Sequence, residues 1–222
     1  VHVEMLECLG KKCFLTDQVL SIKEAEKFVD SLNYSGRSIR NTLLILGALT
    51  ARTGKGSVPL PGGCKLGDRK YDFHVMLLNT LGAKVWESEG RIYSEAPVGG
   101  LIGADIFLPM RSTGATENAI ICGTLARGVT RIWNPHIRPE IIDLIKLLKK
   151  MGADIEIRGQ ESIIIRGKDG LFGCSHYIMP DNIEALTWLT GAAITNGDLL
   201  LHDFPFDHLE VPLIYLRESG VK

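Results

Sequence analysis

The sequence predicts an α/β (α+β) protein built from repeated β-α-β-α-β-β units. Three observations carry that prediction. One phrase occurs four times, over residues 5–12, 77–84, 147–154 and 215–222. Each copy ends a helically spaced apolar run on a glycine, at positions 10, 82, 152 and 220, about seventy residues apart. Three apolar stretches each carry an interior glycine, Gly47, Gly123 and Gly191. Short alternating runs pair around polar turns between them.

The elements follow in order from these patterns. Leu144, Leu147, Leu148 and Met151 share one helical face, and Gly152 then supplies a left-handed cap. Hairpins are predicted for 12–15 with 19–22, for 85–88 with 91–94 around Glu89-Gly90, and for 153–157 with 162–166 around Gly159-Gln160-Glu161. Glycine-marked helices are predicted over 39–52, 113–127 and 182–195. Glycine in a helix interior costs about 1 kcal/mol against alanine, so its recurrence points to close helix–helix approach. Strands are expected after these helices, at 57–60, 130–133 and 198–202, with another at 105–109. The apolar helices should pack inside, with sheets around them. The repeat stops in mid-unit at Lys222, which leads us to expect a part of a longer chain.

Composition narrows the function classes. A net charge of −1 provides no general field for nucleic acid or anionic membrane. No apolar run approaches the ~20 residues of a membrane span. The five cysteines are odd in number and contain no C-x-x-C pair, which fits neither a disulfide framework nor a zinc site. The histidines show no H-E-x-x-H spacing. A reducing cytoplasm is the expected setting. Gly54-Lys55-Gly56-Ser57 lacks the order of a phosphate-binding P-loop and reads as a turn.

Four places are not explained by the repeat. Cys64 follows Pro61-Gly62-Gly63 and lies near Lys65 and Arg69, where it is either a reactive loop thiol or a cysteine with no role. Arg111 to Asn118 runs from a strand into a helix. Ser112, Thr113 and Gly114 there form either a phosphate cradle or a plain cap. Arg40 at a helix start opposes the helix dipole, and is either an anion ligand or a surface arginine. Arg69-Lys70 could hold an anion, whereas His74 reads from spacing alone as a solvated helix residue.

At these residues the chain resembles a known family. Leu60-Pro61-Gly62-Gly63-Cys64 comes first, then Gly67-x-Arg69-x-x-Asp72-x-His74 and Ser112-x-Gly114-Ala115-Thr116-Glu117-Asn118. Arg138-Pro139-Glu140-Ile141 and Met179-Pro180-Asp181-x-Ile183-Glu184-Ala185 complete the set. In that order, and over nearly the whole chain, they are similar to the UDP-N-acetylglucosamine 1-carboxyvinyltransferase family of enolpyruvyl transferases.

The resemblance implies two domains of β-α-β-α-β-β units closing as an inside-out barrel. Residues 1–178 would belong to the catalytic-loop domain, with its opening segment before Val1. Residues 179–222 would begin the second domain, most of which would follow. The implied reaction passes enolpyruvyl from phosphoenolpyruvate to the sugar 3-hydroxyl and releases phosphate. It is the first committed step of peptidoglycan synthesis and needs no cofactor or metal. Cys64 matches the general acid, which is also the cysteine alkylated by fosfomycin. A thiol near the reference pKa of about 8.5 keeps the proton a general acid must give. Arg40 and Arg69 match ligands of phosphoenolpyruvate, and Arg111, Ser112, Thr113 and Gly114 match the holder of the nucleotide diphosphate. His74 and Asp181 match further substrate contacts.

Lys70, Phe73, Thr113 and Asn182 depart from the family's usual proline, leucine, valine and arginine. These departures keep a different nucleotide acceptor open. A non-catalytic nucleotide-binding fragment is the reading from another class. The shikimate-pathway transferase shares the fold but lacks the Pro-Gly-Gly-Cys loop, and ranks third.

Overall fold

The structure is a computed structural model, which describes every residue except Ala25, Phe28, Ser38, residues 63–69 and Lys222. It divides into two units, Val1–Cys174 and Ser175–Lys222.

The first unit begins with α1 (His2–Cys8) and the hairpin β1 (Lys12–Thr16) and β2 (Val19–Lys23). The next copy contains α2 (Thr42–Thr53), β3 (Lys55–Pro59), α3 (Asp72–Thr80), β4 (Lys84–Ser88) and β5 (Arg91–Glu95). The third contains β6 (Asp105–Phe107), α4 (Thr113–Gly123), β7 (Val129–Trp133), α5 (Pro139–Lys150), β8 (Asp154–Arg158) and β9 (Ser162–Arg166). The second unit holds α6 (Asn182–Thr195) and α7 (Phe206–Glu218).

The two larger sheets share one topology. In the third copy the order is β6-β7-β9-β8, with β6 parallel to β7 and the remaining pairs antiparallel. In the copy before it the order is β3-β5-β4, and the leading strand is reduced to a parallel bridge between Ser31 and Ser57. Arg91 straps that bridge. Its guanidinium donates to Ser31 Oγ at 3.0 Å, to the Leu32 carbonyl at 3.0 Å and to Ser57 Oγ at 2.8 Å. The hairpin turns at Asp17-Gln18 and Glu89-Gly90 have positive φ at both central residues, which matches the twist of the flanking strands.

The caps expected from the repeated phrase are present in all four copies. Gly10, Gly82, Gly152 and Gly220 have φ between 83° and 100°. After each, the next N–H reaches the carbonyl five residues back. Lys11 donates to Leu6 at 3.0 Å, Ala83 to Leu78 at 2.9 Å, Ala153 to Leu148 at 2.9 Å and Val221 to Leu216 at 3.1 Å. This closure satisfies carbonyls that a helix end would otherwise leave open.

The glycine-marked helices α2 and α4 lie inside, as expected, whereas α6, expected to pack inside as well, buries no residue. α2 buries Leu43, Leu46 and Leu49, while α4 buries Ala115, Ala119, Ile120 and Cys122. α5 is instead amphipathic and turns Ile141, Ile145 and Leu148 to the core. Ile92, Ile132, Ile163 and Ile165 complete that core from the sheets.

Several expected elements differ from the structure. The strand expected at 105–109 ends at Phe107, and the one expected at 57–60 runs over Lys55–Pro59. Residues 198–202 do not form a strand. A strand needs a neighbour for its ladder, and among the described residues no neighbour pairs with them. The helix expected over 113–127 ends at Gly123. The helix expected from 39 begins at Thr42.

Candidate functional site

The N-terminal ends of α2, α3 and α4 meet in the first unit, and most of the described candidate residues lie there. Helix N-termini carry unpaired N–H groups and the positive end of the dipole, so their convergence favours an anion. Ser112 caps α4, its hydroxyl accepting from Ala115 N at 3.4 Å and its carbonyl from Thr116 Oγ1 at 2.8 Å. Thr113 Oγ1 lies 2.9 Å from His136 Nδ1, in the loop after β7. Arg111 is exposed, and its Nε donates to Asn134 Oδ1 at 3.4 Å. Among the described residues no carboxylate pairs with Arg111. Asn134 is itself held, with φ 57° and its Nδ2 donating to the Leu108 carbonyl at 3.0 Å.

His74, in the first turn of α3, is only 6% exposed. The expectation of a solvated helix residue is therefore corrected. The histidine faces inward because α4 packs across the start of α3. A β-carbon on Gly114 would stand 3.5 Å from His74 Nε2. His74 Nδ1 lies 3.0 Å from Asn118 Nδ2. Burial, helped by the positive charge of Arg40 and opposed by Asp72, pushes the imidazole pKa down to about 4. The ring is therefore neutral at physiological pH.

Arg40 stands just before the α2 cap residue Asn41, not inside the first turn. Its Nη2 donates to the Lys70 carbonyl at 2.5 Å, which ties the start of α2 to the start of α3. The loop candidates Cys64 and Arg69 lie outside the described residues. The outer face of α3 borders a groove of about 950 Å³ lined by Lys70, Tyr71, Asp72, Val75, Met76 and Asn79. Tyr71 reaches across to the Glu87 carboxylate, and burial with that contact pushes the phenol up to about 12.

Asp181 lies in the second unit. Its Oδ1 caps α6 by accepting from Ile183 N at 2.8 Å and Glu184 N at 3.0 Å. Among the described residues, no cluster of His, Cys, Asp and Glu could hold a metal. No helix of the described residues is long and apolar enough to cross a membrane.

The structure thus brings Arg40, His74, Ser112, Thr113 and Gly114 to one junction, with Arg111 at its rim. Asn118 and His136 also contribute; the sequence motif beginning at Ser112 includes Asn118 but gives it no role, and His136 belongs to no motif. Asn118 is a polar residue on the inward face of an apolar helix, four positions after Gly114. That anomaly was the available signal. His136 had no comparable signal, since only folding brings it to Thr113.

The family model for EPSP synthase (3-phosphoshikimate 1-carboxyvinyltransferase) matches residues 2–221. Among curated proteins, the chain is 45% identical over 185 residues to a UDP-N-acetylglucosamine 1-carboxyvinyltransferase of Zymomonas mobilis, covering 83% of this chain and 43% of the relative. It is 41% identical over 223 aligned residues to the protein of the same name from Granulibacter bethesdensis, covering 100% of this chain and 51% of the relative. The chain therefore spans about half the length of the curated relatives it matches. Among solved structures, the enolpyruvyl transferase NikO from Streptomyces tendae superposes with a TM-score of 0.69 at 21% identity, over 84% of this chain and 44% of that one. EPSP synthase from Acinetobacter baumannii gives 0.66 at 20% identity, over 86% and 44%. These two likenesses concern the fold. The family match over residues 2–221 establishes that the chain belongs to the EPSP synthase (3-phosphoshikimate 1-carboxyvinyltransferase) family.

Proposed function

We propose that the protein transfers enolpyruvyl from phosphoenolpyruvate to the 3-hydroxyl of UDP-N-acetylglucosamine, releasing phosphate. The observation that carries this reading is the meeting of three helix N-termini at Arg40, His74 and Gly114. That junction suits two anionic substrates held side by side. Arg40 would neutralise phosphoenolpyruvate, and the start of α4 with Arg111 would hold the nucleotide diphosphate. Cys64 would protonate the enolpyruvyl methylene as general acid. The groove along α3 offers an apolar wall for the base of the nucleotide. The names of the curated relatives support this acceptor. The setting would be peptidoglycan synthesis in the cytoplasm.

One observation favours a second reading, in which the acceptor is a different nucleotide. The Thr113 hydroxyl is engaged by His136, so this wall of the site is polar where the family resemblance implies valine.

The test is phosphate release from phosphoenolpyruvate by the full-length protein, across a panel of nucleotide sugars. Release that depends on UDP-N-acetylglucosamine and drops at least about a thousandfold in Cys64→Ala supports the proposal. Unchanged turnover in that variant removes the role given to Cys64. Preference for another acceptor selects the second reading.

A further inference from the structure

Asn118 has no exposure to solvent and sits where α2, α3 and α4 meet. Its partners decide how its amide is oriented. The Leu43 carbonyl can only accept, so the atom 3.2 Å from it is the nitrogen, Nδ2. The same nitrogen lies 3.0 Å from His74 Nδ1, and its two hydrogens serve the two partners. Oδ1 faces the Cys122 thiol, whose Sγ lies 3.8 Å away. Burial pushes that thiol up to about 12, so it keeps its proton and remains a donor. A nitrogen that donates to Nδ1 requires a lone pair there. The ring proton is then on Nε2, the atom that faces Gly114.

From this geometry we infer that Asn118 is a positioning residue that locks His74 as the Nε2–H tautomer, so that a neutral N–H donor is presented to an anion held beside Gly114. The inference rests on the functional reading above and deepens it. The ligand that calls for such a donor is a diphosphate oxygen of the nucleotide. Gly47 belongs to the same arrangement, because a β-carbon there would stand 1.8 Å from Asn118 Oδ1. The groups that bear on the ring are Arg40 before α2, Asp72 on α3, and the neutral Cys122 thiol behind Asn118 on α4. His136 lies across the same helix start, bonded to Thr113.

The first measurement is long-range ¹H–¹⁵N NMR of the histidine rings in the full chain at neutral pH. A single Nε2–H tautomer for His74 is expected. An Nδ1–H ring, or an average of the two, overturns the inference. The second measurement is UDP-N-acetylglucosamine affinity in two variants. Asn118→Leu keeps the volume and removes the donor, so the tautomers should mix and affinity fall about tenfold. Asn118→Asp can only accept and raises the ring's pKa. Its affinity relative to the parent chain should then change at least about threefold between pH 6 and 8. His136 is common to both chains and cancels in that ratio. If Asn118 merely supports the scaffold, both variants lose thermal stability while the tautomer and the affinity ratio stay unchanged, and the inference fails. If the parent chain binds no nucleotide, the functional reading fails instead. The tautomer spectra of the parent and Asn118→Leu then decide the lock alone.

Discussion

Gly47 and Gly191 hold matching places in the repeat, one in α2 and one in α6, yet they meet opposite surroundings. A β-carbon on Gly47 would collide with Asn118 and would lie 2.9 Å from Cys122 Sγ. Among the described residues, nothing lies within 4 Å of one on Gly191. α2 buries six residues including that glycine, whereas α6 buries none. The repeat thus writes the same kind of helix three times, at Gly47, Gly123 and Gly191. At Gly47 the close approach that requires glycine comes from a partner helix, α4. A β-carbon on Gly123 of α4 would instead meet strand residues, Ile165 Cδ1 at 2.9 Å and Thr130 Cβ at 3.2 Å, so the expected helix–helix approach holds at Gly47 alone.

The sharpest way to break this comparison is to add side chains at both positions. Gly47→Val should cost about 3 kcal/mol, because the new methyls must displace a buried, fully bonded asparagine. Gly191→Ala should be neutral or stabilise by up to about 1 kcal/mol, through helix propensity. Denaturant midpoints of the two variants measure this, and equal losses would end the distinction.

A pH titration sharpens it next. His74 is buried in the first unit, while His202 and His208 of the second are exposed. The folded pKa of about 4 lies below the unfolded value of about 6.5, so between those values the unfolded chain binds more protons. Stability should therefore be full above pH 6.5 and fall as the pH drops toward 4, by up to about 1.4 kcal/mol per pH unit from this group. His74→Gln should flatten that part of the urea-unfolding profile. An unchanged slope would show that the ring is not buried neutral.

The smallest effect compares the two helix caps. Asp181 accepts two N–H bonds at 2.8 and 3.0 Å, and Ser112 accepts one at 3.4 Å. Asp181→Ala should cost about 1 kcal/mol and Ser112→Ala about half that. Hydrogen exchange in the first turns of α6 and α4 would separate them, and a reversed order would mean that cap geometry does not set the difference.

Much of the fold was legible because its signals are local. The glycine caps, the tight hairpin turns and the helical spacing of Leu144, Leu147 and Leu148 all act within a few residues. The strand expected at 198–202 was not so determined, because alternation describes a strand's faces and says nothing of its neighbour. The site was legible in part. Arg111 to Gly114 could be found because a polar, glycine-bearing stretch between strand and helix is unusual. His74 was placed in solvent because its own neighbours do not show what packs over it. Asn118 could be quoted in the motif from Ser112 but not given a role, because one polar residue in an apolar helix does not name its partner.

By itself, the sequence determined the repeat, the four capped helix ends, and the residue types that gather where helices begin. These depend on backbone conformation and hydrogen bonds spanning at most five residues, which neighbouring side chains dictate. Only the tertiary structure decided that three helix starts share one place, that His74 is buried and neutral, and that Asn118 sets its proton. The Asn118–His74 bond joins positions 44 residues apart. A bond of that span exists only once the packing of α3 against α4 has excluded water from between the two side chains.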